Sequence, residues 1–227
     1  MEQCLQDIIE WDVVNWSPAL TFWGQKTKHN LSSIYAMELG SKNGGLSLWL
    51  ALKGSKVKCT DLNGPSELAI EKHLKYGVSS LVEYEALDAM KIPYLEKFDL
   101  IMFKSILGMI GWDDHPENQK CAINRIYRAL KPGGELLFVE NLIGSPLHRL
   151  ARQNFVPWGR HWRYVTVQEL KGFLVPFSSF DYTCFGFGGA FGQDEMQRRI
   201  LGRLDHLLLN HIVPDYWKYI IAGVAQK

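Results

Sequence analysis

One stretch near the start of the chain, residues 34–53, restricts the fold more than any other. Residues 34–39 are short and mostly apolar, as expected of a strand buried in a parallel sheet. Gly40, Gly44 and Gly45 follow, and they permit backbone angles and close approaches that a Cβ atom would prevent. An apolar run comes next and ends at another glycine, as helices often do. The stretch predicts a strand, a tight turn and a helix whose first N–H groups face a ligand.

The spacing of the glycines separates two classes of ligand. Glu38 ends the strand, and Lys42 occupies the place of the middle glycine in the pattern acid-x-Gly-x-Gly-x-Gly. A dinucleotide fingerprint that begins at Gly40 lacks its second glycine for the same reason. Because that glycine lets the backbone approach a pyrophosphate, its absence argues against NAD. The leading acid favours a ligand with a cationic or hydroxyl-bearing part, and Ser41 or Asn43 is expected to cap the helix.

An acid at the end of the next strand supports a nucleoside-containing ligand. Residues 56–61 form a second predicted strand, which ends in Asp61. An acid about 20 positions after a glycine turn can accept hydrogen bonds from both hydroxyls of a ribose. The alternative is a turn aspartate before Asn63-Gly64-Pro65, and the distance from the glycine turn favours the ribose.

Strands and helices alternate over the first part of the chain. The predicted strands cover residues 34–39, 56–61, 81–86, 97–103 and 135–140. Helical patterns separate them, which predicts a parallel sheet with helices on both faces, a doubly wound α/β fold. The later elements are a helix, a strand, an amphipathic helix and a closing strand, at residues 167–175, 179–187, 193–212 and 217–225.

The run Ala-Leu-Lys-Pro-Gly-Gly-Glu-Leu-Leu-Phe at residues 129–138 completes a recognisable order of motifs. Together with the turn at Glu38 and with Asp61, it resembles the class I S-adenosylmethionine-dependent methyltransferases. The resemblance implies one Rossmann-like domain over residues 34–227, with a seven-stranded, mostly parallel sheet whose last strand is antiparallel. It also implies a helical lid at residues 1–33 and a substrate-binding insertion at about 141–166.

The same resemblance implies S-adenosyl-L-methionine as cofactor and S-adenosyl-L-homocysteine as product. Asp88 is expected to receive the adenine amino group, with the N–H of Ala89 on the ring. Lys104 and Ser105 end the fourth strand and should border the sulfonium, since ligands lie beyond the carboxyl ends of such strands. The expected cofactor-binding residues are Glu38, Gly40, Ser41, Lys42, Asn43, Gly44, Asp61, Leu62, Asp88, Ala89, Lys104 and Ser105.

A basic interval follows the fifth strand, because no acid occurs between Glu140 and Glu169. Arginine pairs bidentately with carboxylate or phosphate, so the interval predicts an anionic acceptor. The alternative is a solvated helix face with core aromatics. The expected substrate-binding residues are Arg149, Arg152, Arg160, Arg163 and Tyr164. A hydroxyl acceptor would need a base, for which His161, His148 and Glu140 are the candidates.

The leading functional prediction is methyl transfer to a small anionic acceptor, a hydroxyl of a sugar or a surface-polysaccharide precursor. Residues 162–170 are similar to a segment of methyltransferases that act on bacterial surface polysaccharides. An N-methyltransferase of a small amine and a non-catalytic cofactor-binding partner subunit are the alternatives. Lys104-Ser105-Ile106-Leu107 stands where nucleic-acid methyltransferases carry Asn/Asp-Pro-Pro-Tyr/Phe, so no nucleic-acid partner is expected.

Composition agrees with one globular domain. The 227 residues are 47% hydrophobic and 22% charged, and the net charge of +1 gives no global support for nucleic-acid binding. The four cysteines form no Cys-x-x-Cys pair, and the N-terminus lacks a basic-then-apolar segment, so a cytoplasmic location is expected. No apolar run reaches the roughly 18 residues of a membrane span. No metal ion is expected, and a homodimer stays open beside a monomer.

Overall fold

The computed structural model describes residues 2–227 and has one seven-stranded sheet. The strands are β1 (Tyr35–Leu39), β2 (Lys56–Asp61), β3 (Val82–Ala86), β4 (Phe98–Lys104), β5 (Leu130–Asn141), β6 (Ser179–Phe185) and β7 (Ile220–Gln226). Their order is β3-β2-β1-β4-β5-β7-β6, and β1 to β5 run parallel. β7 pairs antiparallel with both β5 and β6. The predicted doubly wound sheet with an antiparallel last strand is confirmed.

Helices connect the strands and precede the sheet. They are α1 (Glu2–Ile9), α2 (Val13–Trp16), α3 (Pro18–Lys26), α4 (Gly45–Ala51), α5 (Glu67–Lys75), α6 (Leu107–Ile110), α7 (Pro116–Ala129), α8 (Pro146–Phe155), α9 (Val167–Phe173), α10 (Glu195–Leu204) and α11 (Asn210–Ile212). A π-helical turn, Asp205–Leu209, joins α10 to α11. The long amphipathic helix predicted over 193–212 is therefore real but contains an irregular turn.

Apolar side chains cover both faces of the sheet. Along β4, Leu100 and Met102 belong to one apolar cluster, whereas Ile101 and Phe103 belong to the other. This alternation follows from the two-residue period of a strand, and a continuous apolar run is what a strand covered on both faces requires.

The N-terminal segment packs onto the first of these clusters. Trp16 and Trp23 are fully buried there, and the indole N–H of Trp23 donates to the carbonyl of Gly223 at 3.2 Å. Trp11 is only partly buried and packs against Trp16 at an interplanar angle of 58°, with 4.5 Å between ring centroids. Trp16 and Trp23 thus anchor residues 2–33 to the sheet, whereas Trp11 keeps part of its ring exposed.

Candidate active site

A cavity of about 610 Å³ lies at the carboxyl ends of β1 and β4. Ligands of open α/β sheets bind at this edge, because the connections that leave the strands diverge there. The turn after β1 forms one wall, and the N-terminal segment contributes Glu10 and Trp11. The remaining walls come from the ends of β4 and β5, from the loop after α8 and from α10, through Lys104, Ser105, Asn141, Val156, Trp158, Trp162, Tyr164 and Arg198.

Glu38 is buried beneath the glycine turn, and its carboxylate closes the start of α4. One oxygen accepts from the N–H of Leu46 at 3.2 Å and the other from the N–H of Ser47 at 2.7 Å. Burial raises the pKa of Glu38 to about 7, although these donors act against the rise. The acid therefore belongs to the cavity wall with its oxygens already occupied, which differs from the expected free ligand for a cofactor.

The helix cap predicted at Ser41 or Asn43 is wrong. The residue before α4 is Gly44, with φ of 69°, and the first helix N–H groups donate to the Glu38 side chain from the preceding strand. The Asn43 side chain instead accepts a hydrogen bond from Ser66 Oγ at 2.9 Å. Ser41 Oγ is buried in the cavity wall without a partner in residues 2–227. Because such a hydroxyl is costly to leave unpaired, a polar ligand group at this place would be stabilised.

Lys42 and Asp61 join the glycine turn to the end of β2. Lys42 has φ of 48°, and its N–H donates to Asp61 Oδ2 at 2.8 Å. The turn is therefore held by Asp61, whose other oxygen has no hydrogen-bond partner in the described chain. Leu62, the next residue, is exposed beside it. Gly40 has φ of 62°, and a Cβ there would lie 2.4 Å from Ile106.

Asp88 lies at the carboxyl end of β3, on the same edge of the sheet as Asp61. Its Oδ1 accepts from the N–H of Met90 at 2.9 Å and starts the 3₁₀ turn Ala89–Lys91. One oxygen of Asp88 is therefore used by its own turn, which leaves the other for the expected contact with adenine. Neither Asp61 nor Asp88 lines the 610 Å³ cavity, which covers the end of the site nearer β4.

Lys104 and Ser105 line the cavity where β4 ends, as predicted. Lys104 Nζ donates to the carbonyl of Ile9 at 2.6 Å and lies 4.8 Å from the ring centroid of Trp11. Within residues 2–227 no carboxylate forms an ion pair with it, and burial lowers its pKa to about 8. Ser105 has φ of 54° and accepts from Asn141 Nδ2 at 2.7 Å.

His148 is not placed to act as a base. It is buried in α8, and its Nε2 bonds to the carbonyl of Phe187 at 2.9 Å, so this nitrogen must carry the proton. Its Nδ1 accepts from the backbone N–H of Ser145 at 3.0 Å. Burial lowers the pKa of His148 to about 4. The residue caps α8 and fills the space beside Phe191 and Tyr219.

Both carboxylate oxygens of Glu140 are also engaged in hydrogen bonds, so Glu140 is not placed to act as a base. Its two oxygens accept from the N–H of Leu107 at 2.8 Å and from the N–H of Asn141 at 2.7 Å. Burial raises its pKa to about 7. Glu140 therefore closes the start of α6 as Glu38 closes α4, and it does not line the cavity.

His161 differs from both, because its side chain is half exposed. It stacks on Trp112, with 5.2 Å between ring centroids, and its Nδ1 bonds to Asp113. The carboxylate orients the ring and leaves Nε2 free of any partner in the described residues. His161 lines a second cavity of about 630 Å³, beside the first.

This second cavity carries the arginines of the basic interval. Trp162 and Tyr164 line both cavities and form the wall between them. Arg152 is buried, with its guanidinium 3.8 Å from the ring centroid of Tyr164, and its NH1 donates to the carbonyls of Leu142 and Ile143 at 2.8 and 3.1 Å. The charged or basic side chains in its lining are Asp114, Arg149, Arg152, Arg160, His161 and Arg163.

Arg163 is already neutralised, contrary to its expected role in binding a substrate. Its Nε donates to Asp114 at 2.8 Å, NH1 to the side chain of Gln119 at 2.7 Å, and NH2 to Glu169. Arg149, Arg152 and Arg160 have no ion-pair partner in the described chain. The unpaired charge of the interval is thus three arginines and not four.

Two charged residues that line the first cavity, Glu10 and Arg198, are not among the residues predicted from the sequence. Arg198 lines the cavity from α10. Glu10 lines it from the position after α1, where its backbone has a φ of 73°. Neither lies in a motif, and the only signal was the acid-rich, tryptophan-rich start of the chain. Side chains that converge from remote helices leave no local pattern in a sequence.

Comparison with known proteins agrees with this geometry. Residues 37–138 match the family described as a methyltransferase domain, whereas no curated protein matches the chain. Among solved structures, phosphoethanolamine N-methyltransferase 2 of Haemonchus contortus with S-adenosyl-L-methionine is 17% identical, with a TM-score of 0.66. The alignment covers 93% of this chain and 52% of that one, so the chain spans about half the length of the Haemonchus enzyme.

Two further structures show the range of the fold. A S-adenosylmethionine-dependent methyltransferase of Methanosarcina mazei is 19% identical with a TM-score of 0.59, over 86% of this chain and 93% of that one. The [4+2]-cyclase SpnF is 15% identical with a TM-score of 0.60, over 91% and 78%. The family match spans most of β1 to β5, the part of the sheet that builds the glycine turn and presents Asp61. This part of the chain is therefore similar to a methyltransferase domain, and the solved structures share its fold.

Proposed function

We propose that the chain transfers a methyl group from S-adenosyl-L-methionine to a small anionic acceptor, a hydroxyl of a sugar or of a surface-polysaccharide precursor. One observation carries the proposal. A cavity at the carboxyl ends of β1 and β4 shares a wall, Trp162 and Tyr164, with a second cavity, in which three of the four lining arginines have no acid partner in the described chain. The first suits the cofactor and the second an anion, so reacting groups bound in the two would lie close together.

The residues of the first cavity fit the cofactor. Ser41 Oγ is a buried hydroxyl in need of a partner, and beyond the cavity, at the end of β2, Asp61 keeps one carboxylate oxygen for ribose hydroxyls. When bound, the cofactor supplies an electrophilic methyl group on a sulfonium. Alignment of donor and acceptor does most of the catalysis in such a displacement, so rigid walls matter more than charged ones.

The residues of the second cavity would hold the acceptor. Arg152 keeps a planar guanidinium fixed on Tyr164, and its contacts with two carbonyls do not cancel its charge. Such an arginine recognises carboxylate or phosphate with little loss of side-chain entropy. Arg149 and Arg160 add charge at the rim. His161, oriented by Asp113, is the base that remains for a hydroxyl.

An amine acceptor is the second candidate, and the occupied side chains favour it. Both His148 and Glu140 are consumed by backbone contacts, which leaves few bases near the cavities. A neutral amine attacks without losing a proton first and needs none. A cytoplasmic location belongs to the proposal as well, and the four unpaired cysteines agree with it.

Calorimetry tests the cofactor, and a pair of arginine variants tests the acceptor. S-adenosylhomocysteine should bind and NAD should not. With methyl transfer to a panel of anionic sugar nucleotides, Arg152→Lys should lower kcat/KM by roughly 10–100-fold, because lysine lacks the planar fork. Its affinity for S-adenosylhomocysteine should stay unchanged.

Arg163→Lys is the matched control, since Arg163 lines the same cavity but is bound by Asp114 and Glu169. It should affect stability and leave the acceptor KM alone. Equal effects of the two variants on KM would remove Arg152 from acceptor recognition. Turnover of small amines, with none of any hydroxyl compound, would favour the second candidate.

A further inference from the structure

The helix that closes the cavity turns its apolar side chains towards solvent. Six large apolar residues of α10, the π-helical turn and α11 are each 44–80% exposed. We call this set the apolar ridge: Met196, Ile200, Leu204, Leu207, Leu208 and Ile212. Residues four apart lie on one helix face, so Met196, Ile200 and Leu204 form a continuous stripe. Contiguous exposed apolar surface of this kind marks a site of interaction.

Polar contacts hold the helix in this orientation. The Glu195 carboxylate accepts from the backbone N–H groups of Asp12 and Val13 at 2.8 and 3.0 Å. The Asp205 carboxylate is fully buried and accepts from the N–H groups of Gly188 and Gly189 at 2.7 and 2.9 Å. Both acids of the helix are used inside the protein. The ridge cannot rotate inward without leaving these charges unpaired and buried.

The outward face of α10 is basic as well as apolar. Arg199 and Arg203 are exposed beside the ridge. Arg199 makes only an exposed ion pair with Glu2, and Arg203 makes no ion pair within residues 2–227. Exposed pairs of this sort contribute little, so both charges are available to a partner.

A second group of exposed apolar side chains lies on α8 and just after it. α8 and α10 both pack against the 3₁₀ turn Gly188–Phe191. Leu147, Leu150 and Phe155 of α8 are exposed, as is Trp158 just beyond it, and Trp158 lines the cavity. A partner that covered both groups of apolar side chains would therefore lie beside the first cavity.

We propose that the apolar ridge and the exposed apolar side chains of α8 dock the protein on an anionic lipid surface. Apolar side chains would enter the headgroup region, and Arg199 and Arg203 would pair with lipid phosphates. A second copy of the chain fits less well. A two-fold contact through the ridge would bring Arg199 and Arg203 of both copies together, and the carboxylate within α10, Glu195, is already bound to the backbone of Asp12 and Val13.

The docking is peripheral. No helix in residues 2–227 is both long enough and apolar enough to cross a bilayer. The inference goes beyond the proposed function and does not depend on it, since it concerns binding and not methyl transfer. If the protein docks on a lipid surface in this way, an acceptor that is linked to a lipid would be held close to the cavity.

Vesicle flotation tests the proposal with the full chain. Vesicles of equal parts phosphatidylcholine and phosphatidylglycerol should carry the protein, whereas pure phosphatidylcholine should carry much less. Added salt should release it, because surface charges are screened within about 10 Å at 0.1 M salt. Arg203→Gln should weaken binding about fivefold, the effect of one arginine near an anionic surface. Equal binding to both kinds of vesicle, or none to either, would overturn the proposal.

Matched variants separate the ridge from general stickiness. The double variant Ile200→Gln with Leu207→Gln should lower binding at least tenfold, whereas Leu74→Gln with Val175→Gln, equally exposed residues elsewhere, should leave it unchanged. S-adenosylhomocysteine binding and circular dichroism show that each variant is folded. Equal losses in both double variants would contradict docking through the ridge. A wild-type dimer in sedimentation that the ridge variant abolishes would assign the surface to a second copy instead.

Discussion

The glycine turn after β1 and the basic interval at residues 141–168 both carry charged side chains, but the partners of these charges lie at very different distances along the chain. Glu38 bonds to Leu46 and Ser47 inside one strand–turn–helix unit. Arg163 is bound by Asp114, from the loop before α7, and by Glu169 of α9. The buried acid of the first region thus finds its partners within its own unit, whereas the arginine of the second is bound by other parts of the fold.

The difference shows when the role of a charged side chain can be predicted from the residues next to it in the sequence. In the turn, backbone geometry determines which groups face the ligand, and glycines reveal that geometry directly. In the interval, acids and carbonyls from other parts of the fold determine which arginines and histidines are paired and which are left free. His148 and His161 show the two outcomes, since the first is consumed by Ser145 and Phe187 and the second keeps one nitrogen free.

Replacement of these two histidines gives the largest expected effects and tests that contrast. His148→Ala should destabilise the fold by about 2–4 kcal/mol, because it leaves buried partners unpaired and opens a cavity. His161→Ala should change stability by no more than about 0.5 kcal/mol, as exposed substitutions do. For a hydroxyl acceptor it should lower kcat by about 10²–10⁴. Urea unfolding and methyl-transfer rates measure the two quantities.

The pH dependence of stability sharpens the same comparison. The pKa of folded His148 is lowered to about 4, below its ordinary value of 6.5. Between these values the unfolded chain binds a proton that the folded chain refuses, so the contribution of His148 is complete above pH 6.5 and lost as the pH falls towards 4. The stability difference between wild type and His148→Ala should therefore shrink over this range. A difference independent of pH would contradict the buried, neutral histidine.

Asp61 should matter more to cofactor binding than Asp88. Asp61→Ala should weaken S-adenosylhomocysteine binding by about 1.5–3 kcal/mol, the usual value for hydrogen bonds to a charged group. It also removes the acceptor for the Lys42 N–H. Asp88→Ala should cost less, because one Asp88 oxygen already closes its own turn at Met90. Calorimetry that ranked the two variants in the opposite order would move the ribose away from β2.

Most of the fold could be predicted because its signals are local. The predicted strand at residues 56–61 coincides with β2, and the one at 34–39 differs from β1 by one residue. Apolar runs and turn residues report backbone conformation directly. The helix cap failed because Glu38 reaches α4 from the strand, and no capping motif includes a residue at that distance.

The site could be predicted only where backbone geometry creates it. The position of Lys104 and Ser105 at the cavity followed from the end of β4. The partners of Arg163 and the approach of Arg198 depend on packing between distant elements. An amphipathic pattern predicted the helix over 193–212 and would place its apolar face inward, whereas Met196, Ile200 and Leu204 face solvent. Glu195 and Asp205 determine this orientation through contacts that only the folded chain has.

Lys104 provides a smaller effect, which depends on the charge of the cofactor. Burial lowers its pKa to about 8, and the charged groups around it are Glu10, Glu38, Lys72 and Lys42. As the pH rises through about 8, Lys104 loses its positive charge and stops repelling a sulfonium. S-adenosylmethionine should therefore bind on the order of tenfold more tightly at about pH 9 than at about pH 7.

S-adenosylhomocysteine is the matched control for Lys104, because it lacks the sulfonium charge and should respond much less to pH. Lys104→Met should remove the difference between the two ligands. Titration calorimetry in buffers of different ionisation enthalpy would also detect the proton that wild type releases. Parallel pH profiles for the two ligands in wild type would place Lys104 away from the sulfonium.

Lys42 should give the smallest effect, because its backbone does the work at this position. Its N–H bonds to Asp61, whereas its side chain is exposed at the rim of the cavity. Lys42→Gly keeps the backbone N–H and removes the strain of a left-handed backbone, which should stabilise the folded state by about 1 kcal/mol. The larger conformational entropy of glycine in the unfolded chain offsets this gain. Stability and cofactor affinity should both stay within about 1 kcal/mol of wild type. Lys42→Val, with a β-branched side chain at positive φ, should be worse in both. If Lys42→Gly weakened binding as much as Asp61→Ala, the ammonium and not the turn would be the principal ligand.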